Sequence, residues 1–83
     1  MRVIVSSVAE RDIRRLAPDV AERVVAALRA LRENARPPGC LMLRGYPPPT
    51  WRMRVGDWRV LYQIDDDAGT VTVTGVRHRS KAY

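Results

Sequence analysis

Five of the six prolines in this 83-residue chain fall between residues 34 and 50, in NARPPGCLMLRGYPPPT, and no other feature constrains the fold as strongly. Proline has no backbone donor and a fixed φ, so neither a continuous helix nor a central strand can cross this stretch. The hydrophobic period differs on its two sides. Before it, Val20, Val24, Ala27, Leu28 and Leu31 recur at helical spacing, with Glu22, Arg23, Arg29, Arg32 and Glu33 filling much of the rest. That pattern predicts an amphipathic helix of about fifteen residues whose apolar stripe is core. Beyond Thr50 the period becomes two, giving strands over 51–55, 58–64 and 70–76, with Asp65, Asp66, Asp67 and Gly69 marking a turn.

The N-terminal part supplies the remaining elements. RVIV at 2–5 suits an opening strand, and Ser7 followed by Glu10 has capping-box spacing for a helix taking in Ala9 to Leu16. Pro18 interrupts that helix and is suited to the first turn of the next, with Asp19 and Glu22 near its positive end. The brief apolar run Cys40–Leu43 is a candidate short or edge strand. The expected class is α+β: two N-terminal helices packed on a small, mainly antiparallel four-stranded sheet in the order β-α-α-β-β-β, with 1–83 as a single domain. Helices cover one face of such a sheet, and the other is where function is exposed.

At this length roughly 60% of the unfolded chain's surface is buried, so stability is modest and a partner protein matters. Cys40 is the only cysteine, which excludes an internal disulfide and suits an intracellular setting. The apolar run in MRVIVSSVAERD is too short for a signal peptide or a membrane span, so the expected location is cytoplasmic, without a membrane partner. Fifteen basic residues against nine acidic give a formal charge of +6, and every basic residue except Lys81 is arginine. Such a balance attracts polyanions, and the guanidinium fork suits phosphate, although an arginine- and alanine-rich proteome gives the same bias.

The hairpin WRMRVGDWRVLYQI, residues 51–64, concentrates that charge. Gly56-Asp57 fits a two-residue type II′ turn, which pairs Val55 with Trp58, Arg54 with Arg59, Met53 with Val60 and Arg52 with Leu61. Arg52, Arg54 and Arg59 then share one face, with Met53, Val55, Val60, Tyr62 and Ile64 on the other. Like charges directly opposite in a sheet are destabilising. Either the arginines splay into water, stack on Trp51 or Trp58 or pair with acids elsewhere, or the face awaits phosphates. The tail VRHRSKAY adds Arg77, His78, Arg79, Lys81 and Tyr83, the charge-plus-ring set that suits a flexible nucleic-acid strand. No HExxH, CxxC, phosphate-cradling glycine loop or calcium-loop spacing occurs, and no metal is expected. RNA cleavage by 2′-hydroxyl attack remains open: arginine stabilises the developing charge but is a poor base, with a pKa above about 12.

The segments LRG at 43–45, WRMRVGDWRVLYQID at 51–65 and VRHRSKAY at 76–83, with the element order, resemble the RelE/ParE superfamily of bacterial type II toxins, closer to the RelE-type mRNA interferases. The resemblance implies a microbial-ribonuclease-like fold and cleavage of mRNA in the ribosomal A site with no cofactor. It also implies neutralisation by a cognate antitoxin protein. Carried over by position, it implies catalytic roles for Arg54, Arg59, Arg77, His78 and Tyr83 and substrate binding by Arg52; Arg44, Arg79 and Lys81 are further substrate-binding candidates among the basic residues. Arg54 stands where RelE has its proposed lysine base, which leaves His78 as the alternative base. The ParE-like branch, which inhibits DNA gyrase and cuts no RNA, and a non-catalytic RNA-binding module are the other functions such a chain can have.

Overall fold

The computed structural model describes residues 1–81. Its elements run β1 (Arg2–Val5), α1 (Ser7–Arg14), α2 (Pro18–Ala30), β2 (Leu41–Leu43), β3 (Thr50–Val55), β4 (Trp58–Asp65) and β5 (Thr70–His78), then a 3-10 turn at Arg79–Lys81. One sheet has the order β1-β5-β4-β3-β2. Only the β1–β5 pair is parallel. The sheet has five strands where four were expected, because Leu41–Leu43 pairs with Arg52, Trp51 and Thr50 of β3 as a short edge strand.

The start of α1 also differs from the capping box expected at Ser7. Ser6 is the N-cap: its N–H still donates to Val73 O at 3.0 Å, as a strand residue would, while its Oγ accepts from Ala9 N at 3.1 Å. The strand therefore hands over to the helix at Ser6, and Ser7 is already helical. Helix α1 closes at Arg14, before the predicted Leu16, through tighter bonds from Arg15 N to Asp12 O and Leu16 N to Ile13 O. Pro18 opens α2 as expected, where its missing N–H costs nothing.

Both helices lie on one face of the sheet. Ala9, Val24, Leu28 and Leu31 meet Met53, Val60, Tyr62, Val71, Val73 and Val76 in a single core. Val24, Val60, Val71 and Val73 are fully buried, and each such side chain contributes about 1.5–3 kcal/mol by leaving water. Tyr62 is also fully buried and donates its hydroxyl to Ala35 O at 3.0 Å, tying the proline-rich connection to the middle of the sheet. Burial first, then the neighbouring Cys40 thiol, raises the Tyr62 phenol well above the ordinary tyrosine range. No helix among the described residues is long and apolar enough to cross a membrane.

Candidate functional site

The face of the sheet away from the helices carries the arginines. Gly56 has φ +59° and Asp57 does not share that sign, as a type II′ turn requires. The register follows as expected: Val55 opposite Trp58, Arg54 opposite Arg59, Met53 opposite Val60, and Arg52 opposite Leu61. Arg59 in turn stands opposite Arg77 of β5. Directly paired residues share a face, so Arg54, Arg59 and Arg77 form one row across three adjacent strands, about 10 Å from end to end. In the next row inward, Arg52 lies opposite Leu61, and Leu61 opposite Gly75.

Arg77 joins this row because of an irregularity in β5. Tyr62 pairs with Val73 and Leu61 with Gly75, so Thr74 is the extra residue of a β-bulge. Its Oγ1 donates to Leu61 O at 3.3 Å. Strict alternation from the core residues Val71 and Val73 would turn Arg77 toward the helices and Val76 outward. The extra residue reverses that parity: Val76 enters the core and Arg77 emerges beside Arg59. The sequence carries a trace of it, since Val73 and Val76 are three apart in VTVTGV and cannot share a face of a regular strand.

The guanidiniums of the face have different surroundings. Arg77 Nη1 donates to Asp12 Oδ2 of α1 at 2.7 Å. Arg59 folds back on its own turn, with Nη1 3.1 Å from Gly56 O and 3.0 Å from Trp58 O. Arg54 is exposed, and the four ion pairs among the described residues leave it, Arg52 and Arg59 without a carboxylate. The Nε of Arg52 is fully covered and has no acceptor there. Neither tryptophan takes a hairpin arginine: Trp51 carries the Arg36 guanidinium 5.2 Å from its ring centre, and Trp58 packs edge-on against His78. Of the options open in the sequence for Arg52, Arg54 and Arg59, neither pairing with an acid nor stacking on a tryptophan occurs among the described residues, whereas Arg77 of β5 is paired.

The other expected residues are more scattered. His78 pairs with Trp58, opposite Val55, which puts it on the helix side of the sheet and not with the arginine row. Its Nδ1 lies 2.9 Å from Ser80 Oγ. Arg79 is exposed beside the hairpin tip, its backbone N–H on Asp57 O at 2.8 Å and its Nε 3.9 Å from Asp57 Oδ1. Lys81 is exposed at the end of the 3-10 turn, and Arg44 in the turn after β2. Tyr83 lies outside the described residues. Asp12, with Gly75 beneath the Arg77 side chain, is the functional neighbour that sequence reasoning missed, since 65 residues separate it from its partner.

The opposite end of the same face is acidic and polar. A groove of about 590 Å³ there is lined by Gln63, Asp65, Thr70 and Thr72 with Pro48 and Pro49. Asp65 Oδ1 accepts from Ala68 N at 3.0 Å, and Asp66 makes a two-pronged pair with Arg36 at 3.0 and 3.2 Å. The Arg36 hydrogen bond holds the Asp66 carboxyl below the usual carboxylate range. Among the described residues no three His, Cys, Asp or Glu side chains are grouped to hold a metal ion. The face is therefore polarised, with Arg52, Arg54 and Arg59, unpaired with any acid among the described residues, toward the hairpin end.

Comparisons with known proteins agree with this geometry. A family model described as the ParE toxin of type II toxin–antitoxin systems, parDE, matches residues 3–83. Among solved structures, a chain of the RelBE2 toxin–antitoxin complex from Mycobacterium tuberculosis is 35% identical, with a TM-score of 0.81, covering 94% of this chain and 96% of that one. The archaeal RelE–RelB complex from Pyrococcus horikoshii gives 20% identity and a TM-score of 0.83, over 98% and 97% of the two chains. The isolated RelE toxin of E. coli gives 24% and 0.76, over 93% and 82%. These last two establish likeness of fold. No curated protein matches the chain at a significant level.

Proposed function

This chain belongs to the RelE/ParE superfamily of type II toxin–antitoxin toxins, and we propose that it is a ribosome-dependent mRNA endoribonuclease acting in the cytoplasm. The observation that carries the reading is the row Arg54–Arg59–Arg77, three like charges held side by side on the face away from the helices, only one of them paired with an acid among the described residues. Such a row is costly in the free protein and becomes favourable once a phosphate lies across it. In the proposed reaction a 2′-hydroxyl oxygen attacks the adjacent phosphorus while the bond to the 5′-oxygen breaks. Arg59 and Arg77 stabilise the charge that builds on the non-bridging oxygens, and Arg54 and Arg52 hold the neighbouring backbone. Arg44, Arg79 and Lys81 extend the positive surface.

The row contains no proton acceptor, because guanidinium does not deprotonate near neutrality. His78 is next to Arg77 in sequence but faces the other side, so its use as base requires the RNA to pass around the end of β5. Tyr83 is the proposed stacking partner for a base. A cognate antitoxin is the proposed protein partner, since the M. tuberculosis relative is found in such a complex. A second reading, inhibition of DNA gyrase without nuclease activity, is favoured by the match to the ParE family model and by the missing base in the row. Purified toxin added to mRNA-programmed ribosomes separates them. Cleavage within the A-site codon that is lost in Arg59→Ala and Arg77→Ala supports the ribonuclease. Intact mRNA together with blocked gyrase supercoiling supports the alternative.

A further inference from the structure

Strand β1 is hydrogen-bonded to β5 only along Thr70–Val73, so the C-terminal half of β5 has an open edge. Helix α1 turns away from β1 at Ser6 and runs past that edge, placing Asp12 beside it. Asp12 Oδ2 accepts from the Val76 backbone N–H at 3.0 Å and from Arg77 Nη1 at 2.7 Å. The carboxylate is mostly buried, with its side chain 16% exposed, whereas that of Arg77 is 41% exposed. One oxygen thus satisfies a backbone donor that no strand reaches and fixes one end of an arginine that stays open to solvent.

Gly75 completes the arrangement. A Cβ built there would lie 3.2 Å from Arg77 Nη1 and 3.5 Å from Asp12 Oδ2, so the guanidinium crosses space that a side chain would occupy. The bulge at Thr74 brings Arg77 to the outer face, the bare backbone at Gly75 lets its side chain lie back along the strand, and Asp12 anchors it there. Arg54, by contrast, is exposed and has no such anchor among the described residues.

Resting on the ribonuclease reading above, we infer that Asp12 is a positioning residue for Arg77, fixing its guanidinium at the end of the Arg54–Arg59–Arg77 row so that it meets the reacting phosphate already oriented. Asp12 itself touches no substrate. The pair leaves donors beyond Nη1 for phosphate oxygens, because guanidinium carries five N–H groups. Misplacement of such a group by about 1 Å is enough to slow catalysis on the order of 100-fold.

Asp12→Asn is the informative variant: its amide oxygen can still accept from Val76 N–H, while the charged hold on Arg77 is gone. Two measurements are made on it. The first follows the Arg77 side-chain resonance in ¹⁵N-labelled free toxin, assigned by its absence in Arg77→Lys. Slow, distinct Arg77 N–H exchange in the wild type is expected to become fast in Asp12→Asn while the backbone spectrum is retained. The second is single-turnover cleavage on programmed ribosomes, where a loss of roughly 10- to 100-fold in the maximal rate is expected with half-saturation changed less than about threefold. An unchanged Arg77 resonance overturns the inference whatever the cleavage rate. So does a released Arg77 with wild-type cleavage. A wild type that cuts no mRNA overturns the function proposed above, and the hold of Asp12 on Arg77 is then decided by the resonance.

Discussion

Replacing Arg54 by glutamine is expected to make the free protein more stable and the toxin worse. Arg54 is exposed, faces Arg59 directly, and has no carboxylate among the described residues. Asp12 offsets Arg77, so the repulsion in the row falls mainly between Arg54 and Arg59. For two unit charges about 7 Å apart in a water-like dielectric the repulsion is near 0.6 kcal/mol. Favourable cross-strand pairs contribute about 0.2–1 kcal/mol, so a like-charge penalty of this size is of the same order. At low salt Arg54→Gln should therefore raise Tm by roughly 2–4 °C for a domain of this size, and the gain should shrink at 0.5 M salt, where the screening length drops to about 4 Å. The same substitution should weaken binding to a single-stranded oligoribonucleotide and flatten its salt dependence by about 0.7 in log–log slope, one phosphate contact's worth. Calorimetric melting across a salt series and fluorescence anisotropy read the two effects. A variant that melts lower than wild type, or one that is stabilised yet keeps the full salt slope, refutes the reasoning.

Tyr62→Phe leaves the Ala35 carbonyl without its donor in the core and is expected to cost about 1–2 kcal/mol in urea unfolding at unchanged m-value; a neutral result contradicts it. Gly56→Ala forces alanine to φ +59° and drives a Cβ to 2.7 Å from Arg23 Nη2, so a loss of about 1–2 kcal/mol is expected from the backbone even after that flexible tip moves aside. The Asp66 carboxyl is lowered by its hydrogen bond to Arg36, so its stabilisation is present above the unfolded value of about 3.9 and is lost as pH falls through the folded value. Asp66→Asn should therefore flatten the acid limb of the stability curve below about pH 4; an unaltered limb argues against the pair. If His78 takes the 2′-hydroxyl proton, His78→Gln removes the imidazole limb from the pH–rate profile, whereas an unchanged profile assigns the base elsewhere.

The hairpin was legible in the sequence because its information is local. Two alternating runs flank Gly56-Asp57, and a two-residue II′ turn leaves only one register, so the facing of Arg52, Arg54 and Arg59 followed directly. The sheet's fifth strand, Leu41–Leu43, was visible in the sequence only as a candidate edge strand in the apolar run 40–43, too short for its period to declare it. The capping residue fell one position earlier than expected because the end of β1, a tertiary partner, fixed the backbone of Ser6. Which way the tail faces was decided by a single extra residue at Thr74. The out-of-phase Val73 and Val76 hinted at that bulge, but only the pairing of β5 with β4 fixed its place. Asp12 lay beyond any local pattern: its tie to Arg77 exists because α1 passes an edge that β1 leaves open.

Mapping transcript 5′ ends in cells expressing this chain, beside cells expressing Arg59→Ala, tests most directly whether the arginine face is a ribonuclease site. The expected result is a set of new ends inside translated codons, dependent on ongoing translation and absent from the variant. Growth arrest with intact transcripts and inhibited gyrase, or identical ends in both cultures, would contradict it.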